Sequence, residues 1–234
     1  MGTTDDRHVL FLKATAICSF LGALTTVLLI FLPNPEAPDF ETSALLYNDT
    51  LYMSKLWILF FHPQVNLLAS FGIAFLLFKK YPLQIIFGTL FLSVWGYTEM
   101  SQQSVLIDAL NQIWRPGFIG AEEETSRNMF ETLIKAANGI SDSNYFLVLY
   151  GFGLGSLFYA MAFIWENTLG KLLGYSLIFI GILSLSSFAR YYLALQSLDQ
   201  FVNWSYEWIY PYLQPLVRIG MGIWILKEIK KRYD

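Results

Sequence analysis

Charged residues are scarce in this chain: they make up 14% of its 234 residues, against about 25% in typical soluble domains. There is one cysteine, Cys18, which excludes an internal disulfide and a dithiol redox centre. The only histidines, His8 and His62, exclude a bis-histidine haem pair across helices and a histidine-rich metal site. The sequence therefore predicts neither a metal ion nor another cofactor.

Apolar residues, by contrast, form 55% of the chain and are gathered in blocks of about 20 residues, the length that crosses a bilayer. Six blocks lie at about 9–32, 56–78, 83–106, 145–165, 172–195 and 208–226. The sequence thus predicts an all-α integral membrane bundle of six transmembrane helices, with the lipid bilayer as its surroundings. We expect one domain, residues 1–234, because no linker divides the chain.

Basic residues are sorted unequally between the two sides of this predicted bundle. One side carries Arg7, Lys13, Lys79, Lys80, Lys171, Lys227, Lys230, Lys231 and Arg232, and the other carries Lys55, Arg115, Arg127 and Lys135. The more basic side is expected to be cytoplasmic, which places both termini in the cytoplasm. We therefore predict a multi-pass protein of the plasma membrane, specifically a bacterial inner membrane.

The segments predicted to face outward, 33–54, 107–144 and 196–207, are rich in aspartate and glutamate. This acidic outer face makes nucleic-acid binding improbable. Within the longest segment, 107–114 is expected to extend the third helix. Apolar residues at helical spacing in 124–137 predict an amphipathic helix on the outer face. A fixed cover over the bundle is favoured over a moving lid.

Small residues indicate where helices pack closely. Gly151 and Gly155 are four residues apart in the fourth block, and Gly22 belongs to a similar four-residue stripe in the first. Such spacing lets a neighbouring backbone approach. The run Gly151–Gly155 lies in an apolar span and lacks the spacing of a phosphate-binding loop.

Glu99, Arg190 and Arg218 are charged residues that lie inside the apolar blocks. A charge at bilayer depth is costly and is normally held by partners that give it a role. Counting 1.5 Å per residue along each helix places them in the outer half of the bundle. The other members of this predicted polar cluster are His62, Asn66, Gln102, Gln103 and Gln214.

Three interpretations of the cluster stay open at this point. Glu99 pairs with Arg190 or Arg218 and locks the helices in a dry bundle, which then acts through contacts with another protein. Alternatively, two arginines facing one glutamate leave a positive charge for a carboxylate, a phosphate or a lipid headgroup. In the third interpretation, the predicted helix boundaries are wrong, and one arginine side chain extends to the membrane–water interface.

Three stretches in the C-terminal half carry a resemblance to known sequences: Tyr150-Gly-Phe-Gly-Leu-Gly-Ser-Leu-Phe-Tyr159, Gly174-Tyr-Ser-Leu-Ile-Phe-Ile-Gly181 and Gly220-Met-Gly-Ile-Trp-Ile-Leu-Lys227. They resemble a family of uncharacterised bacterial membrane proteins with six to seven spans, a domain of unknown function. This resemblance implies a polytopic membrane fold and no particular reaction.

Enzyme signatures are weak. Glu122-Glu123-Glu124-Thr-Ser-Arg127 matches the Glu-Glu-x-x-x-Arg pattern of membrane CAAX-type proteases, but the histidines that those enzymes need do not follow it. We expect no catalytic residues and favour a binding or accessory membrane protein with an outer-half polar site. Its partner would be a small anionic molecule, a lipid headgroup, a membrane subunit or a second copy. The alternatives are a small-solute transporter or channel and, next, an intramembrane enzyme.

Overall fold

Long helices dominate the computed structural model, which describes residues 4–233. The α-helices are α1 (Thr4–Phe31), α2 (Phe40–Ala44), α3 (Thr50–Leu77), α4 (Pro82–Val105), α5 (Arg115–Gly120), α6 (Glu124–Phe163), α7 (Thr168–Tyr192), α8 (Asp199–Trp208) and α9 (Tyr210–Tyr233). A π-helical segment, Leu106–Trp114, joins α4 to α5. The described residues contain no β-strand, which confirms the all-α prediction. Residues 1–3 and 234 of the predicted domain lie outside the described residues.

Four helices, α1, α3, α6 and α7, are long and apolar enough to cross a membrane. The remaining long helices, α4 and α9, are more polar. Glu99, Gln102 and Gln103 interrupt α4, and the last turn of α9 holds Lys230, Lys231 and Arg232.

The six long helices form a closed ring. In cyclic order, the neighbours in contact are α1, α3, α4, α6, α7 and α9, and α9 packs back against α1. Local signals fix where two of these helices begin: Asp49 accepts a hydrogen bond from the backbone N of Tyr52 at 2.7 Å, and Asn167 accepts one from Gly170 at 3.0 Å. Such side-chain caps satisfy amide groups that the first turn leaves unpaired.

One end of the ring, here called the basic end, carries Lys79, Lys80, Lys231 and Arg232 around a shared cavity. Lys80 Nζ lies 2.8 Å from Oε1 of Glu166 and so ties the α3–α4 turn to the α6–α7 turn. This hydrogen bond raises the pKa of Lys80. The opposite end, here called the acidic end, carries α2, α5 and α8.

An apolar core lies beside the cavity at the basic end. It includes Ile73, Phe163, Leu173 and Trp224, all nearly inaccessible to solvent. The rings of Phe163 and Trp224 meet edge to face with centroids 5.0 Å apart. Apolar side chains therefore fill the space between the helices in this core.

Close helix contacts occur at the glycines that the sequence singled out. A Cβ added to Gly151 would lie 2.8 Å from the carbonyl oxygen of Phe91 on α4, and one added to Gly155 would lie 2.7 Å from the Leu92 side chain. Gly22 of α1 lies against Asn66 of α3 in the same way. Each of these positions excludes a side chain because a neighbouring helix occupies the space.

The segment 124–137 differs from its prediction. It is not a separate amphipathic helix but the first part of α6, which runs without a break for 40 residues. Ile134 and Ala137 pack with Leu110 and Phe118 in a second, small core at the acidic end. The expected extension of the third helix through 107–114 is present, in π-helical geometry, and continues into α5.

Other boundaries also move. The predicted span 145–165 is the C-terminal part of α6, the span 172–195 ends earlier at Tyr192, and the span 208–226 continues to Tyr233. The positive φ of 54° at Ala194, a conformation incompatible with a continuing helix, follows the end of α7. Charged residues after 226 stay helical because helix formation tolerates lysine and glutamate well.

Candidate functional site

A network of buried side chains joins α1, α3 and α9 inside the ring. Arg218 of α9 donates through Nη1 to Oδ1 of Asn66 on α3, and its Nη2 lies 3.5 Å from Nε2 of His62. Asn66 donates through Nδ2 to the carbonyl oxygen of His62 at 2.6 Å. Ser19 of α1 donates to the carbonyl oxygen of Arg218, also at 2.6 Å. These bonds hold three helices around one guanidinium group.

The partners of His62 define its tautomer. Its Nδ1 lies 2.8 Å from Oγ1 of Thr25, and the Thr25 hydroxyl donates its hydrogen to the carbonyl oxygen of Gly22 at 3.0 Å. Because a hydroxyl has one hydrogen, Nδ1 must be the donor toward Thr25. Arginine has no acceptor, so Nε2 accepts from Arg218. His62 is therefore a neutral imidazole that carries its hydrogen on Nδ1.

Arg218 is buried without a carboxylate beside it. Among residues 4–233, no carboxylate oxygen lies within 4.0 Å of its guanidinium. Its Nε is inaccessible to solvent and has no hydrogen-bond partner in that part of the chain. A buried charge that lacks a counter-ion is unfavourable, so this group marks the strongest candidate for a site.

Three cavities that share lining residues lie between this network and α8. The first, here called the mouth cavity, has a volume of about 440 Å³ and adjoins α8. Its lining residues are Tyr145, Ser187, Arg190, Tyr191, Asn203, Tyr206 and Glu207. Tyr191, Asn203 and Glu207 are exposed, so this cavity lies at the protein surface.

The second, the Glu99 cavity, has a volume of about 270 Å³ and shares Tyr145 and Tyr206 with the mouth cavity. The third, the Arg218 cavity, measures about 60 Å³ and shares Trp95, Phe152 and Gln214 with the Glu99 cavity. All six long helices contribute side chains to each of these two cavities. Both cavities therefore lie inside the ring.

Glu99 of α4 lines the middle of this series. It interacts with the side chain of Trp95, one helical turn earlier, and lies close enough to Arg218 for an electrostatic interaction without an ion pair. The interpretation in which Glu99 pairs directly with Arg218 therefore differs from the geometry. The Glu99 carboxyl group and the Arg218 guanidinium instead line two cavities that share residues.

Arg190 does not join the cluster. It donates to Oδ1 of Asn203 at 2.5 Å, and its Nε lies 3.7 Å from Asp199, so it links α7 to α8 at the mouth cavity. The predicted pairing with Glu99 fails because α8 supplies nearer partners, and α8 was not expected from the sequence. Arg190 lies at the depth along α7 that the sequence predicts, but its side chain extends toward α8.

Two further members of the predicted cluster point elsewhere. Gln102 donates to the carbonyl oxygen of Ser141 at 3.0 Å, which joins α4 to the long helix α6. Gln103 is buried, and its Oε1 has no hydrogen-bond partner among the described residues. Neither lines the Glu99 or the Arg218 cavity. Gln214, by contrast, lines both.

Several residues that line the cavities are not predicted from the sequence. Trp95, Phe152 and Tyr210 line the cavities, but aromatic residues in apolar spans are ordinary core residues and give no specific signal. Outside these cavities, Arg115 is buried and donates to Asn111 at 2.5 Å. One signal was available there: Asn111 and Arg115 are four residues apart, a spacing that brings side chains together on a helix.

Metal binding finds no support in the geometry. Residues 4–233 contain no group of three or more histidine, cysteine, aspartate or glutamate side chains that could hold a metal ion. The site offers one guanidinium, one carboxylate, a neutral imidazole and two amides. These are groups that bind and orient a polar molecule by charge and hydrogen bonds.

Comparisons with protein-family models, with curated proteins and with solved structures give no match. The resemblance of the C-terminal half to a family of uncharacterised membrane proteins therefore stays a prediction.

Proposed function

We propose that this chain is a multi-pass membrane protein in which all six long helices cross the bilayer. The four apolar helices support this, and α4 and α9 alternate with them in one closed ring. The basic end is then cytoplasmic, since lysine and arginine are retained on that side of membranes. Both termini lie there, and the cavities open toward the outside.

Within this bundle, the function that the geometry supports best is binding of a small molecule with an anionic group. The observation that carries this proposal is Arg218, a buried guanidinium with a free Nε and no carboxylate within ion-pair distance in the described residues. Guanidinium groups bind carboxylates and phosphates through charge-assisted hydrogen bonds. Asn66 and His62 hold the group in place before the ligand arrives.

Access supports a dissolved ligand over a lipid headgroup. The Arg218 cavity is reached through cavities that share lining residues back to the surface beside α8, and this route lies inside the ring. A volume of about 60 Å³ beside Arg218 accommodates a carboxylate but not a bulky headgroup with its glycerol. A ligand with a small acidic end therefore fits best.

Transport of the same molecule is the second candidate. The helices α3 and α9 carry the network and each contains an internal proline, Pro63 and Pro215. Proline removes a backbone hydrogen bond and leaves a point at which a helix can bend. A bend there would move His62 and Arg218 and open the basic end.

The test is ligand-dependent stabilisation of the purified full chain in lipid nanodiscs. Butyrate, acetate and inorganic phosphate are added separately while thermal unfolding is recorded. A ligand present at 100 times its Kd stabilises the folded state by about 2.7 kcal/mol. We expect at least one anion to raise the melting temperature, and Arg218→Gln to abolish that rise.

Lys135→Gln is the matched control, since Lys135 is an exposed residue of α6 whose partner is Glu131. It removes the same charge and should leave the response unchanged. A response that survives in Arg218→Gln, or no response to any anion, contradicts the binding proposal. Uptake of the responding anion into proteoliposomes then distinguishes transport from binding alone.

A further inference from the structure

The Glu99 cavity has the composition of a site for a positively charged group. Glu99 is the one charged residue among the described residues that line it. Aromatic side chains form much of the remaining wall: Trp95, Tyr145, Phe152, Tyr206 and Tyr210. A carboxylate surrounded by aromatic rings is a combination that attracts ammonium groups, because the ring faces carry negative potential.

Several aromatic rings of this wall contact one another. Trp95 and Phe152 have centroids 5.2 Å apart, and Tyr206 meets Tyr210 edge to face at 4.9 Å. His62 contacts Trp95 edge to face at 6.2 Å, which couples this wall to the arginine network. Rings packed in this way present an aromatic surface to a ligand.

Arg218 and Glu99 line two neighbouring cavities that share a wall. The Glu99 cavity and the Arg218 cavity share Trp95, Phe152 and Gln214, yet no ion pair joins Glu99 to Arg218 within the described residues. In a low-dielectric interior, two separated opposite charges are both stabilised by a ligand that places an anionic group beside the positive one and a cationic group beside the negative one.

We propose that the two cavities together bind a zwitterion, whose anionic group pairs with Arg218 and whose ammonium group lies against Glu99 and the aromatic wall. This inference rests on the proposed anion site and adds a second subsite to it. Gln214, which lines both cavities, offers an amide to the middle of the molecule.

The cavity volumes give the orientation of the ligand. The Arg218 cavity, about 60 Å³, takes a carboxylate, whereas the Glu99 cavity, about 270 Å³, takes an ammonium group with its aliphatic chain or methyl substituents. The carboxylate therefore enters first and lies deepest. The ammonium group lies nearer the mouth.

A series of amino acids that differ only in the distance between their charges tests this proposal. Glycine, β-alanine, γ-aminobutyrate and ε-aminocaproate are titrated into the full chain in nanodiscs, with butyrate and butylamine as analogues that carry one charge each. We expect one chain length to bind best, on the order of tenfold more tightly than butyrate or butylamine, as a charge-assisted contact predicts.

The variant Glu99→Gln should remove the advantage in affinity that the best zwitterion has over butyrate. Glu131→Gln, which removes a half-buried carboxylate of α6 outside the cavity lining, is the matched control and should leave that advantage unchanged. If Glu99→Gln does not fold, the chain-length series on the unaltered protein decides the question by itself.

Two results overturn the proposal in distinguishable ways. If butyrate binds as tightly as every zwitterion, the ammonium subsite is refuted while the anion site stands. If neither butyrate nor any zwitterion binds, the anion site and this inference both fail.

Discussion

Arg218 of α9 donates a hydrogen bond to the side-chain oxygen of Asn66 on α3, and Gly22 of α1 lies directly against the same amide group. The position of the guanidinium therefore depends on a residue of each of three helices. Because Asn66 also donates to the carbonyl oxygen of His62, its amide has one orientation. The candidate anion site is thus built into the packing of the ring.

Gly22→Ala should disturb the site without touching a charge. The new Cβ would lie 2.3 Å from Oδ1 of Asn66, which forces the amide away from Arg218. Overpacking of this kind costs about 1–3 kcal/mol, and we also expect weaker anion binding. Thermal unfolding and butyrate titration measure the two effects.

Gly139→Ala is the control for that change, since no heavy atom lies within 4 Å of a Cβ at this exposed helical position. It should stabilise the chain by up to about 1 kcal/mol, because alanine is the better helix former. Equal behaviour of the two variants would show that Gly22 does not position Asn66.

Asn66→Asp should supply the counter-ion that Arg218 lacks. The carboxylate replaces an amide of the same shape at the atom that already accepts from Nη1. An ion pair formed there competes with an external anion, so we expect the affinity for butyrate to fall on the order of tenfold. The chain should stay folded, which a melting curve checks. Unchanged butyrate affinity would mean that the anion does not bind at Arg218.

Gly151→Ala tests the contact between α4 and α6. The added Cβ would lie 2.8 Å from the carbonyl oxygen of Phe91 and 2.9 Å from the backbone N of Trp95, atoms that cannot turn aside as a side chain can. The two helices must separate, and we expect a loss of about 1–3 kcal/mol in unfolding free energy. Gly139→Ala on the same helix is again the reference. A melting temperature as high as that of the reference would contradict the close packing.

Much of the fold follows from the sequence because hydrophobic blocks of bilayer length define where helices lie. The uninterrupted α6 does not follow. Its stretch around Asn138, Gly139 and Ser141 contains poor helix formers, so a loop was expected between an outer helix and a span. Packing of Ile134 and Ala137 against the segment that follows α4 overrides this local preference.

The sequence predicts a cluster of polar side chains from several helices, but not which residues lie together in it. Helical spacing correctly indicates that His62 and Asn66 share a face of α3, and both contact Arg218. Depth alone placed Arg190 beside Glu99, because the rotation of a helix about its axis cannot be obtained from counting residues. Arg190 instead donates to Asn203 of α8, a short helix that no hydrophobic block predicts.

Cysteine accessibility shows whether a route from the outer face reaches the buried site. In a Cys18→Ser background, which removes the only native cysteine, single cysteines replace Ser187 in the mouth cavity and Ser184 in the Glu99 cavity. Ala162→Cys is the control, because Ala162 is about as buried as Ser184 and Ser187 but lines none of the three cavities. A membrane-impermeant thiol reagent added outside intact cells should modify Ser187→Cys and Ser184→Cys and spare Ala162→Cys. Modification of Ser184→Cys only when the reagent is supplied from the cytoplasmic side would contradict the account.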